Sequence, residues 1–119
     1  MIDINLINGE LKYGEYLLVP KGKFDYFRSL FLPTEMELWT SKQNSITYRL
    51  NLSDEFVFIL YFLNEELMTI DIYPKNKNSL NEIALLLENL GGEHFYSWGK
   101  VELNNDIKAG YKSVLVKYN

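Results

Sequence analysis

Residues 56–63 read Phe56-Val57-Phe58-Ile59-Leu60-Tyr61-Phe62-Leu63, eight apolar or aromatic side chains without a break. A run this short, bounded by Ser53-Asp54-Glu55 and Asn64-Glu65-Glu66, has the length of a strand. Because apolar side chains fall on both alternating faces, the run predicts a strand covered on both sides, at the centre of a sheet. Downstream, Asn64-Glu65-Glu66 makes a short turn and Leu67 to Tyr73 returns as a strand. There Met68, Ile70 and Ile72 fall on one side and Thr69 and Asp71 on the other. Upstream, Ile46, Tyr48, Leu50 and Leu52 alternate with Thr47, Arg49 and Asn51, the period of a strand with one wet face. Met36 to Ser41 reads as a strand or an extended loop. The segments together form a meander.

Further from this centre the pattern changes. Ile4 to Val19 reads as two short strands around Asn8-Gly9, a pair that tolerates positive φ. Lys23 to Phe31 places Phe24, Phe27, Leu30 and Phe31 on one helical face, and Pro33 stops it. On the other side, Ser79-Leu80-Asn81-Glu82 has the spacing of a capping box. Leu80, Ile83, Ala84, Leu87 and Leu90 then form an apolar stripe, and Gly91-Gly92 supplies a left-handed end. Phe95 to Leu103 and Tyr111 to Tyr118 read as two last strands around a turn-rich loop, residues 104–110. The predicted order is β-β-α-β-β-β-β-α-β-β. That is a single α+β domain over residues 1–119, a mainly antiparallel sheet with two helices packed on it.

Composition narrows the function classes. The chain has 119 residues with 47% hydrophobic and 24% charged side chains, the proportions of one folded domain. No cysteine is present, which excludes disulfides, thiolate nucleophiles and thiolate-held zinc. The first residues lack a basic and apolar leader pattern, and no apolar run approaches the roughly 20 residues of a membrane helix. The expectation is a cytoplasmic protein without a membrane partner. A formal net charge of −4 argues against nucleic acid, whose binders carry basic patches, and suits a basic protein partner.

No chemistry-bearing constellation assembles, and the sequence predicts no catalytic residue, no metal site and no cofactor. His94 is the sole histidine and follows a helix end, where the dipole favours its charged form structurally. Glu35/Glu37, Asp54/Glu55 and Glu65/Glu66 are paired in sequence, but acid–base work needs two carboxyls across a cleft. Glu35 and Glu37 could share a strand face as a small acidic patch. Asn104-Asn105-Asp106 lacks the remaining ligands of a calcium loop and reads as a turn. Gly91-Gly92 and Gly99 fit no phosphate-loop spacing. Trp39 lies in a weakly patterned segment and is a candidate exposed anchor, whereas Trp98 reads as packed.

Three stretches of the C-terminal part carry a resemblance. They are Tyr96-Ser97-Trp98-Gly99-Lys100-Val101, Asp106-Ile107-Lys108-Ala109-Gly110 and Ser113-Val114-Leu115-Val116-Lys117-Tyr118. This ending, about the last fifth of the chain, resembles that of small bacterial immunity proteins of polymorphic or contact-dependent toxin systems. The resemblance implies a protein that binds its cognate toxin and blocks its active site or an essential surface. It implies a scaffolding role for these residues, with Asp106 and Lys108 bracketing a turn and Gly110 relaxing the backbone. The expected function is therefore a non-enzymatic toxin inhibitor. Glu35, Glu37, Trp39, Glu65, Glu66 and Asp71 are its expected partner contacts. Two alternatives stay open: a small enzyme or ligand-binding domain with a pocket between sheet and helices, and a homodimer pairing through a sheet edge.

Overall fold

A computed structural model describes residues 2–90, 94–106 and 111–119 of the chain. The unbroken apolar run is strand β6, Phe56–Leu63. It pairs antiparallel with β5, Ser45–Asn51, on one side and with β7, Glu66–Pro74, on the other. Strand β4, Met36–Ser41, forms the edge beyond β5. After β7 the chain crosses through helix α2, Lys77–Leu90, to the far edge. It then returns through β8, His94–Tyr96, β9, Gly99–Asp106, and β10, Tyr111–Tyr118, which closes against β7. The seven-stranded order is β4-β5-β6-β7-β10-β9-β8, with every pairing antiparallel. Strands β1 to β3, Ile2–Ile4, Leu11–Tyr13 and Tyr16–Leu18, form a small separate sheet, and α1, Phe24–Leu30, follows them. The architecture is α+β, two helices on a large antiparallel sheet.

One face of the large sheet carries the core. Phe56, Phe58, Leu60 and Phe62 of β6 meet Leu67, Ile70 and Ile72 of β7 and Val114 and Val116 of β10, all fully buried. Each such side chain contributes about 1.5–3 kcal/mol on leaving water. Helix α1 is fixed to this face by rings: Phe24 stacks on Tyr48 at 5.3 Å, and Phe27 meets Phe62 edge-on at 5.4 Å. Main-chain bonds hold its approach to the β6–β7 turn. The Phe24 amide donates to the Glu65 carbonyl at 2.8 Å and the Leu67 amide to the Gly22 carbonyl at 3.0 Å. The small sheet lands on the same face through Tyr13, whose ring sits 5.1 Å from Phe58. Helix α2 adds Ile83 and Leu90 to the same cluster.

Several expectations need correction. Strand β6 is central, but helices cover only one of its faces: Val57 and Tyr61 on the other are half-buried. The N-terminal region has three strands instead of two. Gly9 at φ 80 turns the first hairpin as expected, and Gly14 at φ 59 turns a second. In β7 the register slips between Tyr61 and Phe62, so Phe62 faces Leu67 and Tyr61 faces Thr69. Leu67 therefore takes the core position predicted for Met68, and Met68 is the extra residue of the bulge. The span Phe95 to Leu103 is broken at Ser97-Trp98 into β8 and β9.

The cap of helix α2, Asn76, lies three residues before the predicted one, Ser79. The Asn76 carboxamide oxygen accepts the Ser79 amide at 2.9 Å, and the Ser79 hydroxyl accepts the Asn76 amide at 3.0 Å. The reciprocal pair is thus Asn76 and Ser79, with Ser79 in the third helical position instead of the cap. Tertiary bonds decide this register: the Lys75 amide reaches the Glu55 carbonyl at 2.8 Å and the Asn76 side chain the Asp54 carbonyl at 3.1 Å. The buried stripe turns accordingly to Ser79, Ile83 and Leu90, with Leu86 and Leu87 half-buried, while Leu80 and Ala84 face solvent. The predicted Gly91-Gly92 end and the loop from Ile107 to Gly110 lie outside the described residues.

Candidate functional site

Both helices and the small sheet pack on one side of the large sheet, so its second face carries no covering layer among the described residues. Alternation decides what stands there. Pairing registers align Glu37, Arg49, Ile59, Asp71, Leu115 and Glu102 in one row across six strands. A neighbouring row runs Thr40, Thr47, Tyr61, Thr69, Lys117, Lys100 and Phe95. Val57 and Tyr73 pair beside the first row. The rows hold both acidic and basic groups, so the face is mixed in charge.

The exposed aromatics sit towards the two edges. Trp39 occupies the bulge of β4 between Leu38 and Thr40 and is 56% exposed. Phe95 on β8 is 82% exposed, with the Lys100 ammonium 5.7 Å from its ring centre. Near the β4 edge, Trp39, Arg49, Val57, Ile59, Tyr73, Pro74 and Lys75 line a shallow depression of about 560 Å³. Ile59 is only 9% exposed. Arg49 Nε is buried and meets no hydrogen-bond acceptor. The Lys75 ammonium is held by the Ser53 carbonyl at 2.7 Å.

The structure places three expected contacts on this face: Glu37, Trp39 and Asp71. Asp71 sits near its middle, between Ile59 and Leu115. Burial pushes its carboxyl above the ordinary aspartate range, and the Ser113 and Tyr73 hydroxyls and the Ile72 amide only partly oppose this. One oxygen, Oδ1, lies buried without a donor in hydrogen-bond range. Glu65 and Glu66 stand together at the β6–β7 turn, where Asn64 and Glu65 both adopt positive φ, 50° and 67°. Glu66 lies 3.4 Å from the Lys23 ammonium. Glu35 is engaged within the chain: its carboxylate accepts the Leu32 amide at 2.9 Å and the Tyr16 hydroxyl at 3.1 Å. That contact turns Glu35 away from the patch it was expected to form with Glu37. Arg49, Tyr61, Tyr73, Lys75 and Phe95 were not singled out by sequence. The wet face of β5 pointed to Arg49, but assigning both faces of β6 to the interior hid the surface around it.

Of the three C-terminal stretches, residues 96–101 and 113–118 act as a scaffold, while the Asp106 side chain, Lys108 and Gly110, with their expected roles, lie outside the described residues. Trp98 stacks on Tyr96 at 5.1 Å, and its indole Nε1 donates to the Leu6 carbonyl at 3.0 Å. The indole occupies the space a side chain on Gly9 would need, since a Cβ there would lie 2.5 Å from the ring. The Tyr118 hydroxyl donates to the Gly9 carbonyl at 2.8 Å. Gly99 lets β9 start directly against β10, where a Cβ would fall 1.9 Å from the Lys117 carbonyl oxygen.

Among the described residues no group of three or more acidic or histidine side chains could hold a metal ion. No helix there is long and apolar enough to cross a membrane. The His94 backbone pairs with Val101, and its side chain lies outside the described residues. A depression of about 490 Å³ does open between α1 and β4–β5. Its lining of Phe24, Arg28, Phe31, Leu32, Pro33, Met36 and Tyr48 contains neither a carboxylate nor a histidine.

No protein-family model matches the chain, and no curated protein matches it. Among solved structures, the fold is similar to that of a chain from the complex described as Rhs1-CT with its cognate immunity protein RhsI1. The TM-score is 0.64 at 14% identity, over 100% of this chain and 88% of that one. At this identity what the two chains share is the fold.

Proposed function

We propose that this chain is a non-enzymatic binding protein that neutralises a partner toxin by covering its active site or an essential surface. The observation that carries a binding role is the open sheet face, with Trp39 and Phe95 held exposed on a rigid scaffold. Aromatic anchors among mixed charges are the usual make-up of protein interfaces. The C-terminal resemblance to immunity proteins supports a toxin as the partner, and so does a fold likeness to a chain of a toxin–immunity complex. The protein acts in the cytoplasm. Glu37, Trp39 and Asp71 contact the partner directly. Glu65 and Glu66 form an acidic rim at the end of the sheet, and Glu35 sets the start of β4.

A net charge of −4 steers the chain toward a basic partner. Steering acts mostly on the association rate and is screened over about 8–10 Å near physiological salt. Neutralising Glu65 and Glu66 together is expected to slow association more than it speeds dissociation. Truncating Trp39 is expected to speed dissociation. The test is co-expression with the toxin domain encoded beside this chain, followed by binding kinetics at several salt concentrations. Rescue of growth and a stable complex support the reading. Absence of both rejects it.

A further inference from the structure

The depression near the β4 edge of the open face brings apolar, aromatic and cationic side chains together. Its floor is apolar, made by Val57 and Ile59, and its walls are Trp39 and Tyr73. Into this setting the sheet register brings Arg49, directly beside Ile59. The guanidinium is permanently charged. Its Nε is buried without an acceptor. Glu37 stands opposite Arg49 across the β4–β5 pairing and Asp71 two strands away, yet neither forms an ion pair with it among the described residues. Lys75 brings a second positive charge to the rim. In a chain of net charge −4, the lining of this hollow thus includes two cations and no carboxylate, with Trp39 and Tyr73 beside them.

A guanidinium whose Nε is buried without an acceptor is left partly unsatisfied, and that cost is relieved when an anion arrives with its own hydrogen-bond acceptors. Attraction at close range grows as water is excluded, and the apolar floor and the Trp39 indole exclude it when a partner closes over them. A guanidinium fork fits a carboxylate in two parallel bonds. We propose that this hollow is the anchor subsite of the toxin interface, where Arg49 and Lys75 take an Asp or Glu side chain of the partner protein against Trp39. The assignment rests on the proposed binding function. It also makes the interface two-part: an acidic rim at Glu65 and Glu66 that faces basic surface, and a basic hollow that takes one acidic side chain.

The test uses the full chain and the toxin domain encoded beside it, with dissociation constants for the parent, Arg49→Gln, Arg49→Lys, Trp39→Ala and Lys12→Gln. Lys12 is an exposed residue of the small sheet, on the covered side, and its change matches Arg49→Gln in charge. Arg49→Gln and Trp39→Ala are each expected to weaken binding at least about 30-fold, mostly through faster dissociation. Arg49→Lys is expected to recover only part of the loss, because an ammonium cannot make the fork. Lys12→Gln is expected to bind like the parent. Melting curves of each variant keep folding separate from binding. A charge swap closes the test: Arg49→Glu is expected to regain affinity for a toxin variant in which one interface Asp or Glu becomes Arg. If the parent binds and Arg49→Gln binds within about threefold of it, the subsite is wrong while the binding function stands. The subsite is equally wrong if Lys12→Gln loses as much as Arg49→Gln, or if Trp39→Ala abolishes self-association of the free protein. If the parent forms no complex, the binding function itself fails, and the subsite with it.

Discussion

Single residues decide where elements start and how the open face responds to pH. Asn76 caps α2 and Ser79 answers it from the third helical position. Asn76→Ala is therefore expected to cost about 1 kcal/mol, measured by urea denaturation. The sequence contained both pairs, Asn76 with Ser79 and Ser79 with Glu82, and each fits a cap. Spacing alone could not choose, because the deciding bonds run from Lys75 and Asn76 to the Asp54–Glu55 turn, about twenty residues earlier. Asp71 offers a second residue-level prediction. Its folded carboxyl binds a proton more tightly than the unfolded one, since burial raises its pKa from the ordinary 3.8. Ionising it therefore destabilises the fold. The penalty is absent below the unfolded pKa, develops as pH rises from there, and is complete above the folded pKa. Asp71→Asn is expected to be more stable relative to the parent at pH 7 than at pH 3. Paired unfolding curves at the two values check this, and an unchanged difference refutes it.

At the scale of elements, β6 shows how far pattern reading reaches. Its length, its central place and its pairing with both neighbours followed from eight unbroken apolar residues. The covering of its second face did not, because apolar side chains occupy a strand face whether a helix or a partner protein will cover it. Phe58 lies on the covered face, fully buried between Leu50 and Ile72 of the adjoining strands. Phe58→Ala is expected to destabilise by about 3–5 kcal/mol, as lost transfer energy and a cavity add together. Tyr61, on the open face, is a contrast: Tyr61→Ala is expected to cost less than about 2 kcal/mol in the same assay. Equal losses would mean that both faces are core. The bulge at Met68 was equally invisible to alternation, since a one-residue slip leaves composition unchanged and moves only the side on which each residue stands. By contrast, α1 was legible to within a residue at each end, because Phe24, Phe27 and Leu30 repeat at helical spacing, although Phe31 already leaves the helix as an extended residue.

For the whole molecule, the informative feature is asymmetry. Ring packing, both helices and the N-terminal sheet all load one side of the large sheet, and the other side carries no covering layer among the described residues. Two of the C-terminal stretches that carried the resemblance, residues 96–101 and 113–118, clamp the first loop to the last hairpin through Trp98 and Tyr118. They fix the scaffold. Hydroxyl-radical footprinting of the protein alone and saturated with the toxin domain reads that face directly, side chain by side chain. Trp39 and Tyr73 are expected to lose reactivity in the complex, while Leu85 on α2 and Ile7 in the first loop, both exposed on the covered side, keep theirs. A complex in which Trp39 and Tyr73 stay as reactive as in the free protein, with protection falling on Leu85 or Ile7, would place recognition on the opposite side and contradict the open face as the binding surface.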